Sequence, residues 1–277
     1  MKKLFFFYFF LLITFSSIMG QDWCKNRKPM KFERSPFYYN YKLITDRFYH
    51  TKSTRVLRKK NTQIESGIFI RQENYQNTLN NNEYLHTNNM YSGINIRRAI
   101  YDNIEIHMSL MDLIIYSGEE ITTYAGDNYK SHIALGGKYS LSGSGNNNSK
   151  FGLFGQLIYT FHDTLHSNIT YELRGLYSIK VSNNVQVTSN FGATYTNNSY
   201  KSLIYSLEIN WNISKRTNTF TEYIKSAPNR LTFDLFVIGI GYYFHENMYC
   251  YISYEEALRK KHNQFDRKLD LGLTYLF

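Results

Sequence analysis

Charged side chains recur in the middle of segments that otherwise alternate apolar and polar residues: Arg97, Glu105, Lys138, Glu172, Arg174, Glu208 and Asp270, with His107 beside Glu105. Glu65, Arg71, Glu255 and Lys268 follow the same pattern. Both signs lie on one face, so these groups either neutralise one another or line a water-filled passage with a mixed field. Neither role needs a catalytic group. The one constellation with catalytic residue types is His162, His166 and Ser167, the set a barrel lipid hydrolase would carry at a rim. It is poorly spaced for that work. Adjacent strand residues point to opposite faces, a triad is a spatial arrangement, and no Gly-x-Ser-x-Gly is present. No enzyme is expected. No paired-cysteine motif, phosphate loop or aspartate-rich calcium loop occurs, so neither a metal nor a cofactor is expected.

The elements that must hold these charges are strands. In Ile104, Ile106, Met108 and Leu110 the apolar residues face one way, and Glu105, His107 and Ser109 face the other. Leu207, Ile209, Trp211 and Ile213 oppose Glu208, Asn210 and Asn212, and Ile169, Tyr171 and Leu173 oppose Thr170, Glu172 and Arg174. The period of 2 predicts twelve strands, roughly 63–72, 84–98, 103–116, 129–141, 150–161, 166–180, 184–196, 201–214, 218–225, 231–244, 247–256 and 265–277. Short turns such as Tyr101-Asp102-Asn103, Ser182-Asn183-Asn184 and His245-Glu246-Asn247 make neighbours antiparallel. Two segments do not show the rule cleanly. Leu231–Phe244 is apolar on both faces, and Glu222 shares a face with Phe220 and Ile224.

Residues 1–20 read as a secretory signal peptide: Lys2-Lys3, an apolar Leu4–Phe15, then small residues up to Gly20. Residues 21–61 show no periodicity, contain Pro29 and Pro36, and read as an irregular N-terminal segment and a candidate plug. Residues 62–277 read as the barrel. Two cysteines, Cys24 and Cys250, make no disulfide framework and leave pairing open. The chain of 277 residues carries a formal net charge of +10, yet its cations are scattered and it enters a secretory route, which excludes nucleic acid as a partner.

The alternation suits either a soluble sandwich or a membrane β-barrel, and three features favour the barrel. Mid-strand charges need a polar interior, and the strands reach the roughly ten residues that cross a bilayer at a tilt. The third feature is the last segment, Leu269-x-Leu271-x-Leu273-x-Tyr275-x-Phe277. Leu271, Leu273, Tyr275 and Phe277 form a terminal amphipathic strand of the kind that outer-membrane assembly machinery pairs with. Tyr84, Tyr129, Tyr200, Tyr242, Tyr243, Tyr249, Tyr251, Tyr254 and Tyr275 supply part of an aromatic girdle near strand ends. The fold class is therefore all-β: an antiparallel transmembrane barrel of about 12 strands in a Gram-negative outer membrane. Its expected partners are outer-membrane lipid, the barrel-assembly machinery and a small-molecule solute.

Three stretches, Leu43-Ile44-Thr45-Asp46-Arg47, Thr51-Lys52-Ser53-Thr54-Arg55-Val56 and Gln63-Ile64-Glu65-Ser66-Gly67, are spaced ahead of and into the first strand. They resemble an Asp-Arg-Pro, Thr-Glu-Ser, Gln-x-Glu-x-Gly series found in outer-membrane transporters grouped with the meta-pathway phenol-degradation protein. Phe48 replaces the Pro and Lys52 the Glu. Gly136-Gly137-Lys138-Tyr139, Phe220-Thr221-Glu222-Tyr223 and Ile238-Gly239-Ile240-Gly241-Tyr242 are similar to the family further along. The resemblance implies passive passage of a small, aromatic or hydrophobic solute, with Asp46, Arg47 and Glu65 as plug candidates. A structural or adhesive barrel, with Asn-rich loops at 74–83 and 146–148 as the contact surface, is the alternative.

Overall fold

The computed structural model describes residues 51–76, 84–117, 130–141, 148–162, 168–196, 201–228, 233–258 and 265–277. Twelve strands form one closed antiparallel barrel: β1 Thr62–Gln76, β2 Tyr84–Tyr101, β3 Ile104–Ser117, β4 Lys130–Ser140, β5 Ser149–His162, β6 Asn168–Lys180, β7 Val185–Thr196, β8 Lys201–Asn212, β9 Thr217–Pro228, β10 Phe233–His245, β11 Met248–Ala257 and β12 Phe265–Leu276. Each strand pairs with its sequence neighbours, and β1 closes the barrel on β12 in register Gln63↔Leu276 through Arg71↔Lys268. No helix occurs among the described residues. The start of the first strand and the end of the last meet at one end of the barrel, with Phe277 N donating to Thr62 O at 2.8 Å. That end also holds three of the tight connections, after β6, β8 and β10.

The strands form because their apolar side chains alternate and one side must leave water. Ile68, Ile96, Ile106, Leu135, Leu153, Leu157, Leu173, Ile209, Ile238, Ile252, Leu269 and Leu271 all face outward as an exposed apolar band. Aromatic rings border it. Tyr159–Phe161 lies toward the far end, and Tyr242–Phe244 and Tyr275–Phe277 lie at the terminal end, with centroids 4.6, 5.1 and 4.7 Å apart. So much exposed Leu, Ile and Phe around a whole circumference suits acyl chains and not water. Inside, the buried residues are mostly polar or charged.

The girdle expectation needs one correction. Tyr242, Tyr254 and Tyr275 face outward, but Tyr249 and Tyr251 are buried on the lumen side and Tyr243 turns the same way. The reason is register. Tyr249 lies against Gly241 and Tyr251 against Gly272; a Cβ on either glycine would meet the ring at 2.0 to 2.1 Å. The missing side chains make shallow seats in which inward rings lie against the wall. Phe220 uses Gly239 in the same way. Tyr84, Tyr129 and Tyr200 have side chains outside the described residues.

The segment that is apolar on both faces resolves accordingly. Phe236, Ile238, Ile240, Tyr242 and Phe244 of β10 face outward, while Val237, Gly239 and Gly241 back the lumen rings. In β9 the buried side is Phe220, Glu222 and Ile224. That strand turns its more apolar side inward and Thr219 and Thr221 outward. In β3 the alternation slips at Asp112, which has φ 57 and sits where the β2 register shifts between Ser92 and Ile94. This bulge places Met111 and Asp112 both on the buried side.

Candidate functional site

Inward-facing positions of β1 to β4 carry a compact charge cluster. Arg97 donates through Nε and Nη2 to Glu105 Oε1 at 2.9 and 2.7 Å, and through Nη1 to Glu65 Oε1 at 3.0 Å. Lys138 Nζ lies 3.4 Å from the same Glu105 oxygen. Gln63 and Asn95 donate to the two oxygens of Glu65, and Ser109 donates to Asn95. Arg97 and Glu105 are fully buried. Two carboxylates face two cations, so the cluster is neutral and its hydrogen bonds offset the loss of water.

The other expected lumen residues fall into smaller sets. Glu172 and Arg174 pair with each other, and Gln156 donates to Glu172 at 3.1 Å. Lys268 Nζ meets Glu255 at 3.1 Å, and Tyr251 donates to Asp270 at 3.3 Å. Arg71 and His132 both reach Asp112, at 3.5 and 3.4 Å. His107 packs tilted against Phe154 with centroids 4.9 Å apart and rests over Gly136, whose missing Cβ leaves the room. Glu208 stands directly opposite Glu222 across the β8–β9 pair, two carboxylates on one face of the wall.

The last described part of the N-terminal segment runs inside this lumen. Thr51 donates from its backbone N and its hydroxyl to Glu222 Oε1, and the same hydroxyl oxygen lies 2.8 Å from Ser206 Oγ, within hydrogen-bond reach. Asn190 holds the next residue from both sides: its Oδ1 accepts from Lys52 N at 2.6 Å and its Nδ2 donates to Lys52 O at 3.0 Å. Lys52 Nζ lies over the Phe154 ring at 5.7 Å. Lys138 Nζ reaches Arg55 O at 3.4 Å, and Leu57 N donates to Glu105 Oε2 at 3.0 Å. Leu57 is fully buried in one cluster with Phe220, Val237, Tyr249, Tyr251 and Leu276. A tight turn then leads into β1: Asn61 N donates to Arg58 O at 3.0 Å, and Lys60 has φ 72. From Thr51 the segment thus runs from near mid-wall, beside Asn190 and Glu222, to the terminal end by residue 61.

Glu65 corrects the plug expectation. It is a wall residue of β1, facing Leu57's end of the segment through Arg97 and Glu105. The fourth residue of a strand paired on both sides cannot leave with the segment. Asp46 and Arg47 lie outside the described residues, as do Cys24, His166, Ser167 and the side chain of His162. Cys250 is a free cysteine on the outward-facing side of β11.

The residues that touch the segment include several that periodicity did not single out: Glu222, Asn190, Ser206 and the ring pair Tyr249 and Tyr251. Glu222 is the one with a legible signal, since a carboxylate in the apolar phase of a strand asks for an internal partner. The lumen is therefore uneven: β1 to β4 and β6 present mostly paired charges, β9 to β11 add rings and aliphatic groups beside Glu222 and Glu255, and Thr51–Leu57 passes between them.

No family model matches the sequence, and no curated protein matches it. Solved structures do match at the level of fold. The chain is similar to the COG4313 outer membrane channel from Pseudomonas putida F1, with TM-score 0.61 and 10% identity over 84% of this chain and 100% of that one. It is also similar to the NanC porin, with TM-score 0.53 and 6% identity over 77% and 98%. The barrel has the fold of outer-membrane channels. At these identities the likeness concerns architecture: a closed membrane-type barrel with a polar lumen.

Proposed function

We propose that the protein is a passive channel in the outer membrane of a Gram-negative bacterium, passing a small solute, and that its N-terminal segment closes the lumen. The observation that carries this reading is the route of Thr51–Leu57. A segment inside a barrel, held by side-chain acceptors on several strands, occupies the path a solute would take. A polar lumen under an apolar exterior supports the membrane setting, and the shared fold with outer-membrane channels is consistent with it. A small apolar or aromatic solute fits the ring-lined side of the lumen. No reacting group is needed for passage, and the proposal assigns none.

The contacts that hold the segment are of the kind that open. They are hydrogen bonds to side chains and one apolar anchor, not a strand pairing. The expected test is single-channel recording of the mature full-length chain and its Leu57→Ala variant in planar bilayers. Truncating a buried Leu costs about 2–5 kcal/mol, all of it taken from the closed arrangement. The variant should therefore dwell open far more often than the parent. Equal and silent traces from two folded proteins would overturn the channel reading and favour a structural or adhesive barrel, whose lumen is simply filled.

A further inference from the structure

The outward side of the wall carries few charges among the described residues, and most of them answer one another. Lys225 stands opposite Asp234 across β9 and β10, and Glu256 opposite Arg267 across β11 and β12, with 3.9 Å between the last two groups. Those four lie toward the far end. Arg98 is different. It is exposed on the outward side of β2, and the residues opposite it are Thr62 on β1 and Ile106 on β3. Ile96 and Ile100, the outward residues on either side of it along the strand, are exposed beside it. No other charged side chain faces outward in the terminal half of the described strands. The guanidinium makes one long hydrogen bond, from Nη1 to Thr62 Oγ1 at 3.4 Å. A cation set among isoleucines at the edge of a lipid-facing band needs an anion. The arginine stem lets the head reach the interface, where the anions are phosphates.

The corner beside Arg98 is basic as well. Arg58, Lys59 and Lys60 are exposed in the turn before β1. That turn is tied to the end of β2: Lys60 N donates to Ala99 O at 3.3 Å, and Ala99 N donates to Asn61 O at 3.1 Å. Lys59 Nζ lies 5.9 Å from the ring centre of Tyr101, which is itself exposed. The one acidic side chain of the corner is Asp102, in the turn after β2. None of the four cations forms an ion pair among the described residues. Tight turns mark the periplasmic end of an outer-membrane barrel, and three of them lie at this end. The leaflet that meets it is one of phospholipid.

We propose that this corner is a docking surface for an anionic phospholipid, its phosphate held by Arg98 with Lys59 and Lys60 and its acyl chains lying on Ile96, Ile100 and Ile106. A phosphate accepts two parallel hydrogen bonds from one guanidinium, which the single long bond to Thr62 leaves available. The lysines add attraction that a net negative headgroup keeps and a zwitterionic one cancels with its own amine. The isoleucines beside the guanidinium favour a phosphate that carries acyl chains over a dissolved one. The inference rests on the membrane setting of the barrel and not on passage through its lumen, so it stands or falls apart from the channel reading.

The test is lipid retention by the full-length barrel folded in detergent micelles. Phosphatidylglycerol and phosphatidylethanolamine with identical acyl chains are added in equal amounts, and retained lipid is counted by native mass spectrometry. The parent should favour phosphatidylglycerol by at least about fivefold, the factor one interfacial cation supplies. Arg98→Gln, shown folded by its mobility on gels before and after heating, should lose most of that preference, and so should the double variant Lys59→Gln, Lys60→Gln. Arg267→Gln removes an outward cation at the far end and should leave the preference unchanged. Excess glycerol 1-phosphate should not displace the lipid. Equal retention of the two lipids by the parent overturns the proposal, as does a preference that survives in Arg98→Gln. Equal loss in Arg98→Gln and Arg267→Gln assigns the preference to overall charge and overturns it too. Displacement by glycerol 1-phosphate shows an anion site in place of a lipid surface, and that also overturns it.

Discussion

Arg97 shows how one residue organises the charged side of the lumen. Its guanidinium spans Glu105 and Glu65 with three hydrogen bonds, from a fully buried position. Only a planar fork reaches two carboxylates on strands either side of its own. Arg97→Met removes the fork that joins Glu65 to Glu105 and takes a buried cation from between two buried carboxylates. Breaking a buried pair from one side costs about 3–5 kcal/mol. A urea titration of the folded barrel in micelles should show a clearly lowered midpoint, and an unchanged midpoint would mean that lumen water already screens the cluster. The same residue shows what the sequence made legible. Arg97, Glu105, Lys138, Glu172, Arg174 and Asp270 stand in the polar phase of strongly alternating strands, so their inward direction was readable. Who pairs with whom in the Arg97 cluster was not, because register joins residues 8 to 33 positions apart through hydrogen bonds that no local pattern encodes.

At the scale of elements, legibility tracks how strictly a strand alternates. β12 is the clear case: Leu269, Leu271, Leu273, Tyr275 and Phe277 on one side, Lys268, Asp270, Gly272 and Thr274 on the other. β9 is the opposite case. Its apolar side turns inward because Phe220 and Ile224 belong to the cluster that seats Leu57, and Thr219 and Thr221 are left toward lipid. Alternation alone cannot tell a lipid-facing ring from a ring lying against glycine, which is why Tyr249 and Tyr251 read as girdle residues. Thr51–Leu57 was invisible to periodicity for a simpler reason: it makes no ladder and is fixed residue by residue by the wall. β12 also carries the assembly expectation. Phe277 packs edge-to-face with Tyr275 and its backbone N closes the barrel on Thr62. A chain lacking Phe277 should give much less heat-modifiable protein in the outer-membrane fraction. Normal yield would show that the terminal ring is not what the assembly machinery reads.

At the scale of the whole molecule, the barrel is a tube with a strap of its own chain inside. The outward band of Ile and Leu fixes it in lipid, and that band is what makes the fold readable in the sequence. The polar lumen makes it capable of passage. Whether passage occurs depends on the strap, since the wall charges are largely paired and would not block a small solute by themselves. The direct measurement is single-channel conductance of the mature chain beside one lacking residues 21–60, each checked for a folded barrel by its mobility before and after heating. The account predicts rare or no openings in the intact chain and steady conductance in the shortened one. Steady and equal conductance in both would show that Thr51–Leu57 is no barrier, and silence in both folded proteins would contradict the channel itself.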